Sequence, residues 1–173
     1  MIYLITGGER SGKSTYAQKL ALELSEHPVY IATARKWDGD FEKRIQKHQS
    51  ERGVQWDNIE EEKHISNLNL KNKVVVIDCV TLWLTNFFTD TKDEIEASLA
   101  QAKTEFDKIK SMNGTFIFVT NEIGMGVHAA TETGRKFVEL QGWMNQHIAN
   151  KADKVILMVS GIPVIIKTTY ECS

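Results

Sequence analysis

Cysteine and proline are scarce in this chain, with two of each in 173 residues. Cys79 and Cys172 are too few for a disulfide framework, and Cys79 lies in an apolar run where a buried thiol is ordinary, so a reducing compartment is expected. Pro28 and Pro163 stand alone, and no Gly/Ser/Pro-rich stretch, repeat or low-complexity block offers a linker. Excess charge is missing as well. The 21 basic and 23 acidic side chains leave a net charge of -2, which argues against a nucleic-acid partner or an anionic membrane surface. No window approaches the roughly 20 apolar residues of a membrane helix. The apolar stretch Ile2 to Thr6 lacks the length and basic flank of a signal sequence, so a cytoplasmic protein without membrane insertion is expected. Arginine is rare too. Arg10, Arg35, Arg44 and Arg52 crowd the first 52 residues, leaving only Arg135 beyond them.

What is present is an ordinary globular composition, 42% hydrophobic and 25% charged, long enough for a substantial core. The length fits one domain spanning 1–173. Short β-branched runs at Ile2 to Thr6, Val29 to Ala32, Val74 to Asp78, Thr115 to Thr120 and Val155 to Val159 read as buried strands. Helical patterns fall between them, at Ser14 to Leu24, Lys92 to Met112 and the stripe Phe137, Leu140, Met144 and Ile148. This alternation predicts an α/β fold with a mostly parallel sheet and helices on both faces. Val164 to Lys167, after Gly161-Ile162-Pro163, suits a hairpin closing one edge.

Gly7-Gly8-Glu9-Arg10-Ser11-Gly12-Lys13-Ser14 fits G-x-x-x-x-G-K-[ST] and lies between the first strand and the first helix, the place such a loop requires. Glycines let successive backbone N–H groups turn toward phosphate oxygens, and the helix beginning near Lys13 aims its positive end at the same anion. Lys13 would reach the β and γ phosphates, and Ser14 would supply a hydroxyl to Mg²⁺, which keeps several waters and needs few protein oxygens. Asp78, ending an apolar strand, is the natural metal-linked carboxylate, directly or one shell out.

A signalling GTPase would need an N-K-x-D segment, and Thr120-Asn121-Glu122-Ile123 lacks both the lysine and the aspartate. A nucleic-acid motor would need a positive groove. A small-molecule phosphotransferase remains, for which the early arginines supply cations around a migrating phosphate. Asp40 followed by Phe41 to Glu51 suggests a short polar helix, which by charge spacing alone is a solvated surface. His48 taken alone reads as an ordinary surface histidine, with catalysis the less common alternative.

The chain resembles the bifunctional adenosylcobinamide kinase and adenosylcobinamide-phosphate guanylyltransferase family of cobalamin biosynthesis. The match runs through Thr6 to Ser14, Tyr30 to Ala34, Arg44-Ile45 with His48, Trp56 and Glu60, Asp78 to Asn86, Thr120 to Gly126, Asn145-Gln146, and Ser160 to Pro163 with Lys167. The resemblance implies a RecA-like P-loop domain and two reactions: phosphorylation of the aminopropanol hydroxyl of adenosylcobinamide from ATP or GTP, then transfer of GMP from GTP onto that phosphate through a guanylyl-histidine. His48 matches the histidine. It further implies GTP contacts from Thr33-Ala34-Arg35, from Arg52-Gly53-Val54-Gln55 and from Glu60, the last to guanine N1 and N2 or to ribose hydroxyls. A homotrimer is implied too. Trp56 and Trp83 read as core. The chain departs from the family at Glu9, where a small residue is usual, at Gly53, where proline is common, and along 127–133, which puts the corrinoid-side contacts in doubt. A monofunctional small-molecule kinase and a nucleotide-binding regulator without turnover are the competing readings.

Overall fold

The computed structural model describes residues 1–35, 53–126 and 128–169. Seven strands form one sheet: β1 (Ile2–Gly7), β2 (Val29–Ala32), β3 (Asp57–Glu60), β4 (Val74–Asp78), β5 (Thr115–Val119), β6 (Lys154–Val159) and β7 (Ile162–Thr168). Their spatial order is β3-β2-β4-β5-β1-β6-β7. Every neighbouring pair is parallel except β6 and β7, the antiparallel hairpin expected at the edge. The described helices are α1 (Lys13–Leu24), α2 (Val80–Asp90), α3 (Ile95–Lys110) and α4 (Glu132–Lys151), with a short 3-10 turn at Ile65–Asn67.

The unbroken apolar runs of the central strands are explained by burial on both faces. Ile2, Leu4, Val29, Ile31, Val75, Ile77, Phe116 and Phe118 point to one side, where α2, α3 and α4 cover them through Trp83, Phe87, Phe106, Ile109, Leu140, Met144 and Ile148. The alternate residues Tyr3, Ile5, Tyr30, Val76, Ile117 and Val119 face α1, which contributes Ala17 and Ala21. Trp83 and Trp56 are core residues as expected. The first is fully buried with its indole N–H donating to Lys63 O at 3.0 Å, and the second stacks edge-on against Tyr30.

Two elements differ from the sequence reading. The α2 segment reads there only as a continuation of the apolar run, because Val80, Trp83, Leu84, Asn86, Phe87 and Phe88 are all buried and no broad polar stripe marks a helical period. β3 escapes because it is a polar edge strand, exposed along most of its length, with only Ile59 packed against the core. The polar helix expected after Asp40 lies outside the described residues, with His48, Arg44 and Arg52. No described helix is long and apolar enough to cross a membrane.

Candidate nucleotide site

The sheet's C-terminal edge collects the residues that carry chemistry. β5 is inserted between β1, which feeds the glycine-rich loop, and β4, which ends at Asp78. Loop geometry follows from its glycines. Gly12 caps α1 in a left-handed conformation with φ +91°, and a Cβ there would lie 3.3 Å from Gly161 Cα. A Cβ on Gly7 would approach Met158 O to 2.5 Å, closer than a side chain tolerates. The loop is therefore packed against the β6–β7 turn, and Gly161 N–H donates to Ser11 O at 3.0 Å. This accounts structurally for the Ser160-Gly161 match noted in the sequence.

Lys13 is 7% exposed, and its ammonium donates to Gly8 O and, at 3.4 Å, to Ser11 Oγ. Burial pulls its pKa below the ordinary lysine value, opposed by the nearby carboxylates of Glu9 and Asp78. Asp78 is itself oriented by Tyr30, whose hydroxyl donates to Oδ2 at 2.8 Å. A cavity of about 700 Å³ opens over this group, lined by Glu9, Arg10, Ser11, Gly12, Lys13, Ser14, Ala34 and Asp78 among the residues named from sequence. It is also lined by Thr15, Gln18, Tyr30, Ala32, Cys79, Leu82, Val119 and Asn121, to which the sequence reading gives no nucleotide role. Cys79 is buried, and burial pushes its thiol up to about 12, so it is inert.

Other expected contacts are placed differently. Thr33 lies beneath the cavity floor, its hydroxyl donating to Cys79 O at 2.8 Å and its N–H to Asp78 O at 3.2 Å, while Asn86 Nδ2 donates to Thr33 O at 2.7 Å. Arg35 is not among the cavity-lining residues. Its guanidinium meets Glu62 at 2.7 Å and Asp90 at 2.9 and 3.2 Å, which holds the Asp90 carboxyl well below the usual carboxylate range. Gly53 and Val54 are exposed and Gln55 is half-buried before β3. Glu60 ends β3 in register with Ala32, which is itself in register with Asp78, so two strand spacings, about 10 Å, separate the two acids. Gly7 and Gly8 begin the loop and are not among the cavity-lining residues.

The donor set can be tested against Mg²⁺. Among the described residues no three His, Cys, Asp or Glu side chains converge as a protein-only metal cage. A hydroxyl and a carboxylate on one phosphate cavity suit instead an ion that keeps its waters and takes oxygens from substrate phosphates. Ser14 and Asp78 fit that pattern.

Glycine-rich loop, buried lysine, strand-end aspartate and an inserted strand define a P-loop nucleotide-binding protein of the RecA-like class. In agreement, the fold matches a prototypical ATPase of the type III secretion system of pathogenic bacteria with a TM-score of 0.55 at 8% identity, covering 90% of this chain and 50% of that one. The family model described as cobinamide kinase / cobinamide phosphate guanyltransferase matches residues 3–166, and the chain belongs to that family of transferases. The bifunctional adenosylcobalamin biosynthesis protein CobP of Pseudomonas aeruginosa is 34% identical over 169 residues, covering 95% of this chain and 96% of the relative. The protein CobU of Escherichia coli K12, which carries the same description, is 35% identical over 182 residues, covering 96% and 100%.

The bond from Tyr30 to Asp78 yields a prediction. Tyr30→Phe removes the hydrogen bond that fixes the carboxylate, and the Mg²⁺ concentration giving half-maximal turnover should rise roughly tenfold. A Mg²⁺ titration of turnover, paired with nucleotide binding measured in EDTA, checks it; metal-free binding should be unchanged.

Proposed function

We propose that this protein phosphorylates the aminopropanol hydroxyl of adenosylcobinamide from ATP or GTP, then transfers GMP from GTP to the resulting phosphate, releasing pyrophosphate. The observation that carries the reading is the single cavity in which the loop, Lys13, Ser14 and Asp78 meet, in a chain of this family. Loop N–H groups and the α1 N-terminus hold the triphosphate, and Lys13 places its charge against the β and γ oxygens. Ser14 and Asp78 would hold Mg²⁺, which would supply charge neutralisation for the leaving phosphates. Both reactions use one catalytic unit spanning 1–173.

In the second reaction a neutral ring nitrogen of His48 attacks the α-phosphate of GTP. The P–N bond forms, the P–O bond to pyrophosphate breaks with its electron pair on the leaving oxygen, and the labile guanylyl group then passes to the corrinoid phosphate. Ala34, in the cavity wall, and Glu60, about 10 Å along the strand ends from Asp78, contribute to the nucleoside end of GTP, with Thr33 supporting the wall from below. Arg35, Arg52, Gly53, Val54 and Gln55 complete the GTP contacts. The protein works in the cytoplasm as a homotrimer. Self-association is supported by the outer strand, where Ile162, Val164, Ile165 and Ile166 lie exposed beside Val159.

The test is corrinoid-dependent consumption of GTP. Wild-type protein with Mg²⁺, GTP and adenosylcobinamide should yield adenosylcobinamide-GDP and pyrophosphate. Phosphorylation without GMP transfer would identify a monofunctional kinase, and GTP binding without corrinoid-dependent turnover would identify a regulator.

A further inference from the structure

The phosphate loop has a second acidic neighbour. Glu122 follows β5, and its backbone N–H donates to Gly7 O at 3.0 Å, fixing it against the loop's first residue. Its Oε1 accepts from Thr6 Oγ1 at 2.6 Å and from Asn145 Nδ2 at 3.1 Å. Asn145 is fixed in turn, because its Oδ1 accepts from Thr120 Oγ1 at 2.7 Å and from Gln141 Nε2 at 3.0 Å. Thr6, Thr120, Gln141 and Asn145 are all buried. One carboxylate oxygen is thus clamped by a polar scaffold drawn from β1, α4 and the end of β5. The other oxygen accepts no hydrogen bond, and no cationic side chain pairs with Glu122 among the described residues.

A clamp built for stability alone has no need of this charge. The carbonyl of a glutamine would accept the same two hydrogen bonds without leaving a half-buried carboxylate unpaired by a cation. The charge is held, moreover, against the first residue of the loop expected to bind phosphate, beside the nucleotide cavity. Asn121, its chain neighbour, lines the nucleotide cavity, and Gly7 opens the loop that holds the phosphates. Asp78 is already engaged by Tyr30 and suited to the metal, and Glu9 lies exposed on the loop.

We propose that Glu122 is the base that accepts the proton of the substrate alcohol during phosphoryl transfer, a reading that rests on the kinase reaction proposed above. A lone pair of the hydroxyl oxygen forms the new O–P bond to the γ-phosphorus. The hydroxyl proton passes to Oε2 of Glu122, and the bond from the γ-phosphorus to its bridging oxygen breaks with the electron pair going to the nucleoside diphosphate. The proton leaves to water after product release. GMP transfer differs in one respect: its acceptor is a phosphate that is already ionised, with no proton for a base to remove. The proposal therefore separates the two reactions at a single residue.

Glu122→Gln keeps the size and the hydrogen-bond acceptor. Phosphorylation of adenosylcobinamide should fall about 10²- to 10⁴-fold in kcat, with KM for nucleotide and corrinoid little changed. GMP transfer to supplied adenosylcobinamide phosphate should stay within a few-fold of wild type. Full kinase activity in Glu122→Gln, or equal losses in both reactions, overturns the proposal while leaving the functional reading intact. Wild-type protein unable to phosphorylate adenosylcobinamide overturns both. Should Glu122→Gln fail to fold, as thermal melting would show, Glu122→Asp is judged by the same ratio: a selective kinase loss supports the base, and equal losses overturn it.

Discussion

Replacing Lys13 by alanine is expected to cut phosphoryl transfer roughly 10³-fold while the chain stays folded. The ammonium is 7% exposed and held at the loop by Gly8 O and Ser11 Oγ, so its charge is in place before substrate arrives. A charge organised in advance and shielded from water acts more strongly on developing phosphate charge than a solvated one. Its removal should be felt in turnover more than in stability, because the buried ammonium is desolvated in the free protein. Turnover, thermal melting and GTP binding measured together check the split. The pKa shift adds a sign. In the free protein Lys13 is more easily deprotonated than an ordinary lysine, and a bound triphosphate restores the charged form. Nucleotide binding on the alkaline side should therefore take protons up from the medium. Calorimetry in buffers of different ionisation enthalpy reads this uptake, which should disappear in Lys13→Ala.

The second large effect concerns His48. Incubation with Mg²⁺ and GTP labelled at the α-phosphate should leave an adduct on the wild-type protein that acid releases and alkali does not, the signature of a P–N bond. His48→Ala should carry no label and should lose GMP transfer, yet still phosphorylate adenosylcobinamide, because the loop, Lys13 and Asp78 are untouched. An unlabelled wild-type protein would exclude the covalent route. Label persisting in His48→Ala would place the nucleophile on another residue.

The fold was readable in proportion to how one-sided each segment's environment is. Central strands buried on both faces announce themselves as β-branched runs, and α3 and α4 carry exposed polar faces that reveal their period. The α2 helix is too deeply buried to show such a stripe, and β3 is too polar to show strand alternation. At the site, the loop was legible because its chemistry fixes residue types at fixed spacing. Tyr30 and Glu122 fall within segments that match the family, but their positions along the chain give no hint of a role. Tyr30 acquires its partner through a contact 48 residues away, and Thr6 and Glu122 meet across 116. Arg35 is a further case: its place in the sequence gives no sign of Glu62 and Asp90, the carboxylates its guanidinium meets in the folded chain.

The scarcity of arginine also takes on a spatial meaning. Arg10 lines the cavity beside Lys13, so a molecule of net charge -2 still presents cations where phosphates are expected. The central claim is that one phosphate site serves both reactions. Its most direct test is guanylylation of the Lys13→Ala protein by GTP labelled at the α-phosphate, read beside its kinase activity. A shared site predicts that both collapse together. Full guanylylation in a protein that has lost phosphoryl transfer would contradict it and require a second nucleotide site.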